Sequence, residues 1–100
     1  MNLRHEMKHM PEAATWLHWA IERVLRPNGW VLRPIRGGYN SFCLSKPGDA
    51  RQFHFRWWRS YPDRVFVLDR YHRGRKLGAL RTLDDVTRFV VAVDRGRRWP

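Results

Sequence analysis

Short turn-rich segments recur through the middle of the chain and restrict its possible folds more than any other feature. Connections of three or four residues are too short for the crossover that parallel strands need. The sequence therefore predicts an antiparallel sheet of four to five strands in a meander, with Pro34 placing the first strand at an edge. The turn segments RGG, KPGD, SYPD and HRGR separate strand-type runs at 30–35, 39–45, 51–59, 64–72 and 75–80.

Helical patterns flank these strands on both sides. Apolar residues recur at helical spacing over 11–26, and again after Thr82, which can cap a helix that ends before Gly96. The predicted fold class is therefore α+β, with an N-terminal and a C-terminal helix packed on the sheet. The expected organisation is a flexible N-terminal tail over 1–10, a single α+β domain over 11–96 and a C-terminal tail over 97–100.

The segment RQFHFRWWRS, residues 51–60, predicts a strand with two different faces. Phe53, Phe55 and Trp57 recur with a period of two and are expected to face the core, whereas His54, Arg56 and Trp58 face outward. With a four-residue loop at 60–63, Trp57 would pair with Phe66 and His54 with Asp69. The outward face would then carry Trp58, Val65, Val67 and Tyr71 beside Arg56 and His54. Whether helix one covers this side as a second small core stays open.

Positive charge is the strongest functional signal. The chain has 20 Lys and Arg residues against 9 Asp and Glu, for a net charge of +11. Most of the excess lies between residues 51 and 81, and nearly all of the cations are Arg, whose planar fork suits phosphate and guanine edges. This pattern indicates a polyanion partner, with general solubility as the alternative.

Several classes of protein are disfavoured by simpler features. No apolar run approaches the length of a membrane span, and the first ten residues lack the apolar stretch of a signal peptide. The expectation is a soluble, cytoplasmic protein without membrane contact. Cys43 is the only cysteine, so an internal disulfide and a multi-cysteine zinc site are excluded.

Three sets of residues resemble catalytic arrangements, and none of them predicts an enzyme. HEMKH, with His5, Glu6 and His9, fits the H-E-x-x-H zinc motif, but it lies at the extreme N-terminus and Pro11 disfavours a helix there. Cys43, His54 and Asp69 could form a nucleophile set, although His54 and Asp69 are more simply a cross-strand pair. Asp84 and Asp85 are helix-start residues rather than paired catalytic carboxylates. The sequence therefore predicts a protein that is not an enzyme and needs no metal or other cofactor.

Residues 76–90, KLGALRTLDDVTRFV, resemble the end of the ethylene-response-factor type of DNA-binding domain and of the arm-binding domains of tyrosine recombinases. The similarity lies in the Leu-Gly pair, the capping Thr and the apolar helix residues after it. The resemblance implies a three-stranded sheet and one helix, with the sheet entering the DNA major groove. By position it implicates Arg56, Trp58 and Arg59 on one strand and Arg70, Arg73 and Arg75 around the next turn.

The sequence predicts a small nucleic-acid-binding protein, with DNA preferred over RNA. The alternative is a small inhibitor or adaptor of the kind that phages and mobile elements encode, which would bind an acidic or nucleic-acid-binding protein through the same basic aromatic face. Arg, Trp and Tyr also dominate protein interfaces, so composition leaves both open. The expected binding residues are Arg56, Trp58, Arg59, Arg64, Arg70, Tyr71, Arg73 and Arg75.

Overall fold

The computed structural model describes residues 10–35, 40–70 and 75–100 and confirms the α+β class. Its helical elements are α1 (Glu12–Ala20), a π-helical turn (Ile21–Leu25) and a 3-10 turn (Arg26–Asn28) that extend α1, and α2 (Leu83–Asp94). The strands are β1 (Val31–Pro34), β2 (Ser41–Ser45), β3 (Gln52–Arg56), β4 (Val65–Asp69) and β5 (Arg75–Leu80).

The five strands form one antiparallel sheet in chain order, β1-β2-β3-β4-β5. Each strand pairs with the strand that precedes or follows it, which is the predicted meander. The predicted edge position of the Pro34 strand is confirmed, because β1 pairs only with β2. Within the described residues, no helix is long and apolar enough to cross a bilayer.

Local side-chain contacts set the start of α2. The Thr82 hydroxyl accepts a hydrogen bond from the Asp85 N–H at 3.1 Å, and the Asp85 carboxylate accepts one from the Thr82 N–H at 3.1 Å. This reciprocal capping box satisfies backbone donors that the first helical turn leaves unpaired. Bonds from the Arg81 and Thr82 N–H groups hold the pKa of Asp85 below its usual value. The predicted Thr82 cap is therefore confirmed.

Both helices pack on the same side of the sheet, which we call the inner face. One continuous core joins apolar residues of α1, its π-helical extension, α2 and all strands from β2 to β5. The idea that helix one covers the opposite, outward side is therefore wrong. The core members at 1% exposure or less include Ala13, Ile21, Leu25, Leu44, Phe55, Val65, Val67, Leu80, Val86, Phe89 and Val93.

The pairing of β3 with β4 differs by one residue from the prediction. Phe55 lies opposite Val67 and Arg56 opposite Phe66, so Val67 faces the core and Phe66 faces outward. The physical reason is the connection: β3 ends at Arg56, and residues 57–64 form two successive turns in place of the expected four-residue loop. Val65 and Val67, expected on the outward face, are fully buried in the core.

The alternation predicted for residues 51–59 is confirmed at two adjacent tryptophans, although both lie just beyond the end of β3 at Arg56. Trp57 is 4% exposed and stacks on Phe42 with ring centres 5.5 Å apart, whereas Trp58 is 39% exposed.

Trp57→Ala is expected to lower the free energy of unfolding by about 3–5 kcal/mol, because it leaves a large cavity in the core. Trp58→Ala should cost much less, since most of its contacts are at the surface. Chemical denaturation of the two variants measures both values, and equal losses would contradict the assignment of faces.

Candidate nucleic-acid interface

The side of the sheet opposite the helices, here called the outer face, has no helix over it in the described chain. Strand register places its side chains in two rows across the sheet. One row contains Arg33, Cys43, His54, Leu68 and Lys76, and the next contains Ser41, Arg56, Phe66 and Ala79.

Three rings form an aromatic cluster at one end of the outer face: Trp58, Tyr61 and Phe66. The Phe66 ring centre lies 5.0 Å from that of Trp58 and 5.4 Å from that of Tyr61. These two rings shield Phe66, which is only 7% exposed, while Trp58 and Tyr61 are themselves 39% and 47% exposed. The cluster thus presents two partly open ring surfaces to a partner, with Phe66 as their support.

Cations surround the aromatic cluster. The Lys76 ammonium lies 4.7 Å from the centre of the Phe66 ring, and the Arg56 guanidinium lies 5.9 Å from that of Trp58. Arg56 also donates a hydrogen bond from Nε to the Ser41 hydroxyl at 3.1 Å, which orients its planar group. No carboxylate within the described ranges forms an ion pair with Arg56 or Lys76, so both charges are available to an anion.

A bulge in β5 brings Lys76 to the outer face. Val67 pairs with Gly78, but Leu68 pairs with Lys76, so Leu77 is an extra residue in β5. Without the extra residue, strict alternation from Leu80 would turn Lys76 toward the helices. The bulge instead leaves Leu77 packed against the core and places the Lys76 ammonium over Phe66.

Charge is divided between the two layers of the molecule. The helical segments 12–28 and 83–94 together have three cations, all Arg, and five acidic residues. The described strands and their connections, over 29–35, 40–70 and 75–82, have ten cations and three acidic residues. Among the described residues, the excess of positive charge therefore lies on the sheet side and at the C-terminal end, not on the helices.

The predicted binding residues are only partly gathered at one place. Arg56 and Trp58 lie at the aromatic cluster, Arg59 is exposed in the adjoining turn, and Arg70 is exposed just after β4. Arg64 contacts the Tyr61 ring, but its Nε is bound to the Asp63 carboxylate at 2.9 Å, which compensates its charge.

Three further predicted residues lie apart or fall outside the description. Arg75 lies opposite Asp69 in the β4–β5 ladder, at the end of β4 away from the cluster. Tyr71 and Arg73 lie outside the described residues. Sequence reasoning did not select Tyr61, Phe66 or Lys76; the Tyr-Pro pair in SYPD was read only as a turn, and Lys76 depends on the bulge.

The register separates the members of the possible nucleophile set. Cys43 and His54 are direct cross-strand neighbours on the outer face, but His54 lies opposite Leu68, and Asp69 lies opposite Phe53. The predicted His54–Asp69 pair is therefore wrong, because the β3–β4 register is shifted by one residue from the prediction. No group of three or more His, Cys, Asp or Glu side chains suited to a metal occurs in the part of the chain that the structure describes. The HEMKH motif with His5, Glu6 and His9 lies outside that part.

Comparison of the chain with protein-family models, curated proteins and solved structures finds no match. The likeness to sheet-type DNA-binding domains thus stays a prediction. The order of β3, β4, β5 and α2 agrees with the order of elements that the likeness implies.

His54 is a partly buried imidazole on this basic face. Its Nε2 atom is buried and has no hydrogen-bond partner among the residues that the structure describes. Burial, followed by the charges of Arg56 and Arg70, lowers the pKa of His54. A proton on this ring would be partly removed from solvent and would lie near other cations, so the folded state disfavours it.

Acidification is therefore expected to destabilise the protein through His54. The unfolded chain protonates this ring near its ordinary pKa of about 6.5, before the folded state does, so stability present above that pH is lost as the pH falls. His54→Gln should reduce this loss between about pH 7.5 and 5, because Gln does not titrate. Thermal unfolding of both proteins across this range measures the effect. An identical pH dependence in the variant would contradict the assignment.

Proposed function

We propose that this protein binds nucleic acid, DNA in the first instance, through the outer face of its sheet. The observation that carries the proposal is the coincidence of two features on one surface. Among the described residues, no helix covers the outer face, and this face combines exposed aromatic rings with Arg56 and Lys76, which form no ion pair with a described carboxylate. Phosphate contacts and ring stacking are the two interactions by which proteins bind strands without reading each base.

The two kinds of side chain have separate roles in this proposal. Arg33, Arg56 and Lys76 lie along the two outer rows and would contact successive phosphates, with Arg59 and Arg70 at the ends. Trp58 and Tyr61 would stack on bases. Stacking needs bases that are not already paired, so the rings contribute more on single-stranded DNA than on an intact duplex.

A protein partner is the second candidate, because the same cluster exposes Trp58 and Tyr61 beside Arg56, the residue types that anchor protein interfaces. The two functions differ in their response to salt. Strand binding releases counterions from the phosphates, whereas an interface anchored by buried rings is screened only at its rim.

Salt dependence is expected to identify both the partner class and the surface. With about five phosphate contacts on duplex DNA, log affinity should fall against log salt with a slope of about −4 to −5. The double variant Arg33→Gln and Arg56→Gln should lower the magnitude of that slope by about 2, since it removes two contacts. Fluorescence anisotropy against duplex DNA, single-stranded DNA and RNA measures the slopes.

The matched control for this titration removes two cations from the helical layer. Arg23 stacks on Trp19, and Arg88 forms an exposed pair with Asp84, so Arg23→Gln with Arg88→Gln has the same net charge as the test variant. The control should keep the wild-type slope. Equal slopes in the two variants would show that binding does not use the outer face, and failure to bind any of the three ligands at low salt would sink the nucleic-acid proposal.

Stacking is tested separately with two exposed tryptophans, Trp58 at the outer face and Trp19 on the helical side. Trp58→Ala should weaken single-stranded DNA binding by about 1–3 kcal/mol, the usual contribution of one base on one ring. Trp19 is 60% exposed on α1, on the helical side, so Trp19→Ala is the control and should leave affinity unchanged. Anisotropy on both variants compares them, and an equal or larger effect at Trp19 would move the interface to the helices.

A further inference from the structure

A cavity lies at the end of the sheet opposite the aromatic cluster. It has a volume of about 610 Å³, and it forms where the ends of β3, β4 and β5 meet the C-terminal segment 97–100. This volume falls in the range of small-molecule sites, roughly 300–1,000 Å³. Its lining includes Arg51, Asp69, Arg75, Arg97, Arg98 and Trp99.

The walls of this cavity carry an excess of positive charge. The lining includes the cationic side chains of Arg51, Arg75, Lys76, Arg97 and Arg98, and Asp69 is the one acidic side chain among the described lining residues. Lys76 directs its ammonium toward Phe66 on the outer face, so the cavity depends chiefly on the arginines.

One arginine is already engaged, whereas the others are not. Arg51 donates to the Asp49 carboxylate at 2.7 Å and to the Val93 carbonyl at 3.2 Å, and this pairing lowers the pKa of Asp49 to about 2. Arg75, Arg97 and Arg98 are exposed and form no ion pair with any residue in the described ranges. Three guanidinium groups thus line the cavity without an ion pair to a carboxylate of the described residues.

An aromatic ring forms the apolar part of the wall. Trp99 is half-buried and packs edge-on against Phe89, with ring centres 5.0 Å apart. It also lies over Gly78, where an added Cβ would come within 2.7 Å of the Trp99 ring. The glycine therefore allows the ring to settle on β5, and this contact holds the two neighbouring arginines of the C-terminal segment at the rim.

We propose that this cavity binds a phosphorylated ligand with a flat ring, which is the chemistry of a nucleotide. Arg75, Arg97 and Arg98 hold the phosphate, and the ring lies against Trp99. Planar guanidinium groups match phosphate oxygens in pairs, and an aromatic wall favours a flat ring over a flexible chain. The nucleotide comes either as a free mononucleotide or as the phosphorylated end of a strand. The site does not depend on binding at the outer face.

The experiment titrates the full-length protein separately with adenosine monophosphate, adenosine and inorganic phosphate. NMR of the Trp99 indole N–H signal follows binding. Adenosine monophosphate should shift this signal and bind at least about tenfold more tightly than either fragment, since charged contacts and ring contacts contribute separately. The double variant Arg97→Gln and Arg98→Gln should weaken binding by about tenfold or more.

The control variant is Arg88→Gln with Arg95→Gln, which removes the same charge from two exposed positions outside the cavity. It should bind adenosine monophosphate as the wild type does. The proposal is overturned by an unmoved Trp99 signal up to about 10 mM ligand, by equal weakening in both variants, or by binding of inorganic phosphate as tight as that of the nucleotide.

A competition experiment distinguishes the two sources of the nucleotide, a free mononucleotide and the phosphorylated end of a strand. A short DNA strand with a 5′-phosphate is compared with the same strand ending in a 5′-hydroxyl, each competing with adenosine monophosphate for the Trp99 signal. Stronger competition by the phosphorylated strand supports a strand end as the ligand. Equal, weak competition by both strands supports the free mononucleotide.

Discussion

The architecture depends on the contacts that the buried Phe89 ring makes with its neighbours. This residue is fully buried in the middle of α2 and meets Phe53, Phe55 and Trp99 edge-on, with ring centres 5.2, 5.5 and 5.0 Å apart. A single side chain thus joins the C-terminal helix, the central strand and the last residues of the chain. Because α1 and its π-helical extension enter the same core, the sheet has a covered face and a face without a helix in the described chain.

The free face places contrasting side chains together because a strand alternates its side chains between two sides. In β3, the inner set is Phe53 and Phe55, and the outer set is His54 and Arg56. An apolar ring on such a face would ordinarily be exposed to water. Phe66 avoids this because Trp58 and Tyr61 fold over it from the two successive turns, which concentrates rings and cations at one end of the sheet.

Sequence reasoning about the candidate site succeeded where one strand was enough and failed where two strands had to be aligned. Arg56 was placed outward correctly, since a period of two assigns faces within β3 regardless of its neighbours, and Trp58 just beyond the strand is exposed as the same alternation predicts. Val65 and Val67 were placed on the wrong side, because the register of β4 depends on how many residues the connection uses. A one-residue change in that number exchanges every face on the strand.

The sequence by itself determined the strands, their meander order, the edge position of β1 and the capped start of α2. Turn residues, a proline and a capping box act within a few residues of one another, so their effects can be read locally. Only the tertiary structure decided that both helices share one face, that Lys76 reaches the outer face through a bulge, and that the C-terminal arginines meet Arg75 around a cavity. These arrangements depend on packing between residues far apart in the chain. The free energy of that packing cannot be inferred from a pattern of neighbouring residues.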